Sequence, residues 1–130
     1  MEFINKAFCV GLGGFLGSIS RYLLDSRLKL IFHGSFPFPT LIINLLGAFF
    51  IGLTLGLLPL TEKSLNHIYL FLITGFLASF TTFSTLSLEA LQILKQNLYL
   101  NLIGYIFLHI ILGIFLTYLG FKFSNLIKNY

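Results

Sequence analysis

Gly75-Phe-Leu-Ala-Ser-Phe-Thr-Thr-Phe-Ser-Thr-Leu86 is the stretch whose reading decides the fold of this chain. It lies in a segment with no Asp, Glu, Lys or Arg between Lys63 and Glu89, long enough to cross the roughly 30 Å hydrocarbon core of a bilayer. Its middle is not lipid-like. Thr81, Thr82, Ser84 and Thr85 place four hydroxyls within five residues, interrupted only by Phe83, with Gly75 and Ser79 just upstream. Hydroxyls so close together can bond freed backbone groups, so a helix can unwind there provided that protein, not lipid, surrounds it. The stretch reads as a broken transmembrane helix. Ser and Thr as helix-helix glue would account for one or two hydroxyls better than for four.

The composition agrees. Of the 130 residues 57% are hydrophobic and only 9% charged, which excludes a soluble domain and implies an all-α integral membrane protein. The net charge of +4 would suit nucleic acid, but the eight basic residues are scattered and form no cluster to follow a phosphate backbone. Cys9 is the single cysteine, so no intrachain disulfide forms, and it reads as a small buried hydrophobe. The first apolar run continues into Arg21-Tyr22 with no small-x-small cleavage site, which suits a retained helix.

Outward from the central stretch, the chain reads as one domain, residues 1–130, of four membrane helices. Helix 1 is expected at about 3–24, with Gly13, Gly17 and Arg21 on one face. Gly13-x-x-x-Gly17 allows close backbone approach, and Arg21 is either functional or snorkels to the headgroups. A connector, residues 25–38, carries Arg27, Lys29, His33 and a Gly-Ser-Phe-Pro-Phe-Pro turn cluster. Helix 2 is expected at about 39–58, with Pro39 in its first turn and Asn44 as its one strongly polar side chain, one turn after Thr40. An amide facing lipid is costly, so Asn44 should face protein or a water-filled path. Pro59 and Thr61-Glu62-Lys63-Ser64 close that segment. Helix 3, about 67–91, contains the central stretch, and Glu89 reads as a solvated helix end. Lys95-Gln96-Asn97 form the next turn. Helix 4, about 98–121, carries Asn101, Tyr105, His109, Gly113 and Thr117 at steps of four. Such steps drift about 40° each, so only neighbouring rungs share a face.

Four spans with short connectors bring the two ends of the chain to one membrane side. Lys6, Lys63, Lys122 and Lys128 then stand against Arg27, Lys29 and Lys95, a balance that fixes no orientation. Insertion both ways invites an antiparallel homodimer. No metal-ligand spacing, nucleophile-His-acid set or phosphate-binding loop is present, which argues against an enzyme. Asn44, the hydroxyls of residues 81–85, Tyr105 and Phe83 are all neutral. Their N–H, O–H and ring-edge dipoles suit a small hydrated anion that must be bound without being trapped.

Three segments carry a family resemblance: Gly13-Gly-Phe-Leu-Gly-Ser-Ile-Ser-Arg21-Tyr22, Thr40-Leu-Ile-Ile-Asn44-Leu-Leu-Gly47-Ala-Phe-Phe-Ile-Gly52, and the central stretch from Gly75 to Thr85. Together they resemble the Fluc (CrcB) fluoride channels, and the resemblance extends over all four helices. The resemblance implies an antiparallel dual-topology dimer with two pores in the cell membrane. Its activity would be passive efflux of fluoride that entered as neutral HF. It implies that Asn44 lines the pore as a donor, that Phe83 is the first of two pore phenylalanines, and that Ser84, Thr85, Tyr105 and Thr117 form polar tracks. By the same resemblance, the backbone carbonyls of Ala78 and Thr81 hold a structural Na+ at the dimer interface, Arg21 sits near the dimer centre, and Glu89 lies near the pore mouth. Three features depart from the pattern. Leu86 stands for the second phenylalanine, Ala78-Ser79 for paired glycines, and His109 for a small polar residue beside the path. Leu86 leaves open a subunit that pairs with a paralogous chain as a half-degenerate or non-conducting partner. A small multidrug exporter would need a Glu within helix 1, where only Arg21 and the following Asp25 occur.

Overall fold

The computed structural model describes residues 1–58 and 67–128. The segment-closing group of Pro59 and residues 61–64 lies outside them. Among the described residues every regular element is helical. Helix α1 spans Glu2–Lys29 and α2 spans Phe38–Leu57. Helix α3 covers residues 67–80, most of it, Leu70–Leu77, wound as a π-helix; α4 spans Phe83–Lys95 and α5 Tyr99–Lys128. Taking α3 and α4 together, four segments are long and apolar enough to cross a membrane. Large apolar side chains such as Leu100 (85% exposed) and Ile114 (67% exposed) face outward, as expected where lipid or another protein is the solvent.

Several helix ends differ from expectation. Helix α1 runs to Lys29 instead of ending near residue 24, because ion pairs continue past the apolar run. Lys29 Nζ lies 2.6 Å from Asp25 Oδ2, one turn apart, and Arg27 and Lys29 suit the negative end of the helix dipole. At the other end Glu2 pairs with Lys6 at 2.6 Å. Helix α5 likewise continues beyond residue 121 to Lys128, since hydropathy marks where a helix leaves lipid and not where its hydrogen bonding stops. Pro39 sits in the first turn of α2, where its missing N–H costs nothing. Asn97, at φ 59°, turns the chain between α4 and α5, a left-handed position that Asn tolerates.

Small residues set the packing. A Cβ on Gly13 or Gly17 would collide with the α3 backbone at Phe71 and Phe76, and one on Gly75 with Val10 and Gly13. The π-helical backbone therefore lies directly on the glycine face of α1. On the opposite side α2 and α5 meet as closely. Gly52 faces the Thr117 carbonyl, Gly120 the Phe49 carbonyl, and Gly56 the buried Ser124 hydroxyl. Where α2, α4 and α5 meet, Leu41, Ile93 and Tyr105 form a buried cluster, with Phe36 and Leu86 packed against it.

Candidate functional site

Between α3 and α4 the backbone leaves helical geometry. Thr81 (φ −82°, ψ 158°) and Thr82 (φ −149°, ψ 116°) are extended. In an uninterrupted α-helix the Thr82 N–H would donate to the Ala78 carbonyl. Here it donates to Asn44 Oδ1 at 2.9 Å, and Asn44 Nδ2 donates back to the Thr82 carbonyl at 3.3 Å. One side-chain amide thus replaces the helix as partner of both polar groups of Thr82. Next to it, the Ser79 carbonyl accepts from Arg21 Nε at 3.3 Å, which places the guanidinium at the negative end of α3.

The hydroxyls divide the remaining work. Thr82 is the N-cap of α4, its Oγ1 accepting from the Thr85 N–H at 3.2 Å. The same hydroxyl donates to Thr85 Oγ1 at 3.1 Å and lies 3.1 Å from Ser84 Oγ. Sequence reasoning counted Thr82 among the hydroxyls without giving it this role, although a Thr directly before a helical run is a capping signal. Thr81 turns its hydroxyl back to the Leu77 carbonyl at 3.1 Å and its methyl onto Gly47, where any side chain would collide with it.

Two cavities border this point and a third lies beyond them. One, of about 40 Å³, is lined by Arg21, Asp25, Lys29, Thr40, Ile43, Thr82 and Thr85, and is rich in charge. A second, of about 340 Å³, is lined by Asn44, Thr81, Thr82, Phe83, Leu86, Ile106, His109 and Ile110. The third is a furrow of about 770 Å³ between α2 and α5, lined by Gly52, Leu55, His109, Ile110, Gly113, Ile114, Thr117, Tyr118 and Phe121. Thr82 belongs to the first and second, and His109 and Ile110 to the second and third. Asn44, Phe83, Thr85, Leu86, His109 and Thr117 therefore line a row of three cavities that share wall residues. Ser84 is exposed, Ala78 lies exposed at the end of α3, and the Phe83 ring is 79% exposed.

Tyr105 is placed differently from the polar ladder expected on α5. It is fully buried, and its hydroxyl donates to Glu89 Oε2 at 2.6 Å. Thr40 donates to the other oxygen, Oε1, at 2.8 Å. Glu89 is thus not a solvated helix end but a carboxylate that ties α2, α4 and α5 together, a role its position near the end of an apolar run did not reveal. The ladder splits as the 40° drift requires: Tyr105 turns inward, while His109, Gly113 and Thr117 line the furrow. Thr117 Oγ1 donates to the Gly113 carbonyl at 2.9 Å. His109 Nδ1 bonds the Tyr105 carbonyl at 2.9 Å, and the Tyr105 ring packs edge-on against it at 4.4 Å between centroids. Among the described residues no group of three or more His, Cys, Asp or Glu side chains could hold a metal.

Fold and site together define a small multi-pass membrane protein in which polar groups converge on an interruption between helices, with no catalytic constellation among the described residues. Residues 8–121 match the family model described as CrcB-like protein, Camphor Resistance (CrcB). The chain is 45% identical over 111 residues to a protein of a Nitratiruptor species, covering 85% of this chain and 81% of that one. It is 43% identical over 119 residues to one of Aquifex aeolicus, covering 91% and 95%. With one of Azobacteroides pseudotrichonymphae it shares 38% over 118 residues, covering 91% and 94%. Each of these relatives is named Fluoride-specific ion channel FluC. The chain belongs to the CrcB family.

Proposed function

We propose that this protein is a fluoride-selective channel of the cell membrane that lets cytoplasmic fluoride leave passively, and that it works as an antiparallel dual-topology dimer. The observation that carries this reading is the junction at Thr82. There Thr82 is the wall common to a charged cavity holding Arg21, Asp25 and Lys29 and a largely apolar one that also presents the Asn44 amide, with no carboxylate lining the second cavity among the described residues. Neutral donors can replace water around a small anion without the full charge that would hold it. Asn44 has one amide hydrogen beyond the one given to Thr82, and that hydrogen is the donor we assign to the ion.

The interruption is the break of a single membrane span. Its extended residues are covered by Asn44 and the hydroxyls, with Arg21 on the adjoining Ser79 carbonyl, which is the condition for such backbone at membrane depth. The dimer is supported by what one chain leaves open: the furrow has walls only from α2 and α5 among the described residues, and the Phe83 ring has little cover. A second copy would close both, and the four-against-three charge balance permits its opposite insertion. The carbonyl of Ala78, whose helical donor Asn44 has taken, lies beside the extended Thr81. Neutral carbonyl oxygens suit Na+, so we assign the carbonyls of Ala78 and Thr81 to a structural Na+ between subunits. That ion would hold two helix ends together and take no part in conduction.

Leu86 lines the second cavity where an aromatic edge would complete a pair, and this favours as second reading a subunit that needs a paralogous partner. Fluoride efflux from liposomes holding only this purified chain, with chloride as control, tests both. Fluoride-selective efflux supports the self-sufficient channel. A folded dimer without flux favours the heteromeric reading and removes the first.

A further inference from the structure

Asp25 is the carboxylate that lines the small cavity at the junction, and the channel reading gives it no part. Arg21, Asp25 and Lys29 follow one another at steps of four on α1, so they stay within about 80° of one face and span about 12 Å of its length. Lys29 is the last residue of α1, Arg21 lies two turns deeper on the Ser79 carbonyl, and Asp25 stands between them. The rest of the cavity wall is neutral: Thr40, Ile43, Thr82 and Thr85.

The ion pair between Asp25 and Lys29 is lopsided. Its ammonium side chain is 62% exposed and its carboxylate side chain 23%. Water therefore screens the cation well and the anion poorly, so an ion inside the cavity meets more of the carboxylate than of its partner. A pair that only finished the helix would need neither charge in a cavity.

We propose that Asp25 throttles anion entry: its half-buried negative charge opposes the pull of Arg21 in the cavity that borders Thr82. This rests on the channel reading above. For an anion moving inward from the end of α1, Lys29 and Arg21 attract and Asp25 repels, one negative charge against two positive. Among the described residues no other Asp or Glu lines this cavity or the break cavity. Glu89 stands behind Thr40, with both its oxygens bonded to Thr40 and Tyr105. None of the bonds that shape the junction goes to Asp25: those of Arg21, Asn44 and Thr82 end on other groups. Neutralising Asp25 thus changes the charge of the mouth and leaves the break as it is.

The test is fluoride efflux from proteoliposomes at low fluoride, where entry limits the rate, in potassium gluconate at equal concentration on both sides. Two ionic strengths are compared: about 10 mM, with a Debye length of about 30 Å, and about 1 M, with one of about 3 Å. Asp25→Asn should be about two- to fivefold faster than wild type at the lower strength, below the range of a whole charged cleft because one charge changes. At the higher strength the two rates should converge. Asp25→Glu, which keeps the charge and the pairing with Lys29, should match wild type at both. Lys29→Met leaves the carboxylate without its partner and should be about two- to fivefold slower at the lower strength. An Asp25→Asn rate equal to or below that of wild type at low ionic strength overturns the proposal. So does a gain that persists undiminished at 1 M, which marks a structural effect. Where Asp25→Asn does not fold, Lys29→Met decides alone, and a rate equal to or above that of wild type overturns it. Absence of flux from folded wild type overturns instead the channel reading beneath it.

Discussion

Asn44→Leu is the perturbation that bears most directly on how the break is held. Leucine is of similar size to asparagine, so packing on α2 is largely preserved while both bonds to Thr82, at 2.9 and 3.3 Å, disappear. Two hydrogen bonds at about 1 kcal/mol each give about 2 kcal/mol, and leaving the Thr82 N–H and carbonyl without partners adds to that. Because Thr82 is half-buried, water relieves part of the second contribution, and we expect a loss of about 2–3 kcal/mol. Rewinding offers the chain an escape: the Thr82 N–H can return to the Ala78 carbonyl, extending α3 and closing the polar junction. Both routes predict lower fluoride flux, and they separate by stability, since rewinding recovers one bond. The assay is equilibrium unfolding of the purified protein in mild detergent beside fluoride efflux from liposomes. A stability change below about 0.5 kcal/mol together with unchanged flux would refute the claim that Asn44 holds the break open.

Glu89→Ala removes the acceptor of two hydrogen bonds, each about 1.5–3 kcal/mol when the acceptor is charged, and should destabilise far more than Tyr105→Phe, which removes one; a double-mutant cycle on these residues should show strong coupling. Gly52→Ala places a methyl against the Thr117 carbonyl and should cost about 1–3 kcal/mol, read as reduced folded yield and lower melting temperature, whereas Gly113→Ala, with open space at its Cβ, should be nearly neutral for folding. Phe83→Ile should slow fluoride efflux about three- to fivefold, the equivalent of losing an aromatic edge worth about 0.5–1 kcal/mol, while the proposed dimer elutes unchanged by size exclusion.

The four membrane segments were legible because apolar runs without charge have few alternatives, and the close approaches were legible because Gly13 and Gly17, and again Gly52 and Gly56, lie at spacings of four. That Asn44 must meet protein or a water-filled path followed from the cost of a bare amide in lipid. What it meets did not follow, since Thr82 is 38 residues away and the bond goes to backbone, which leaves no mark in a side-chain pattern. Four adjacent hydroxyls also hid one another: the cap at Thr82, the back-bond of Thr81 and the contacts of Ser84 and Thr85 differ only by backbone angles that the sequence does not display. Glu89 was hardest to read. A carboxylate near the end of an apolar run looks like a solvated terminus, and only the folded chain brings Thr40 and Tyr105 to its two oxygens.

The arrangement of charge bears on why an anion could pass at all. Glu89 is the carboxylate nearest the break along the chain, and a free negative charge there would oppose fluoride. Both its oxygens accept short hydrogen bonds from hydroxyls, which spreads the charge and points its lone pairs at Thr40 and Tyr105. Arg21 is restrained in a similar way by the Ser79 carbonyl, so on the proposed reading it would draw anions towards the small cavity while part of its donor capacity is already used. Lys29 in the same cavity is paired with Asp25. Each of these charges near the junction is thus partly satisfied within the chain, and on the proposed channel reading the donors left for the ion are Asn44, Thr85 and the edge of Phe83. A site built that way gives up its anion readily, because what replaces the hydration shell is a set of dipoles and not a counter-charge.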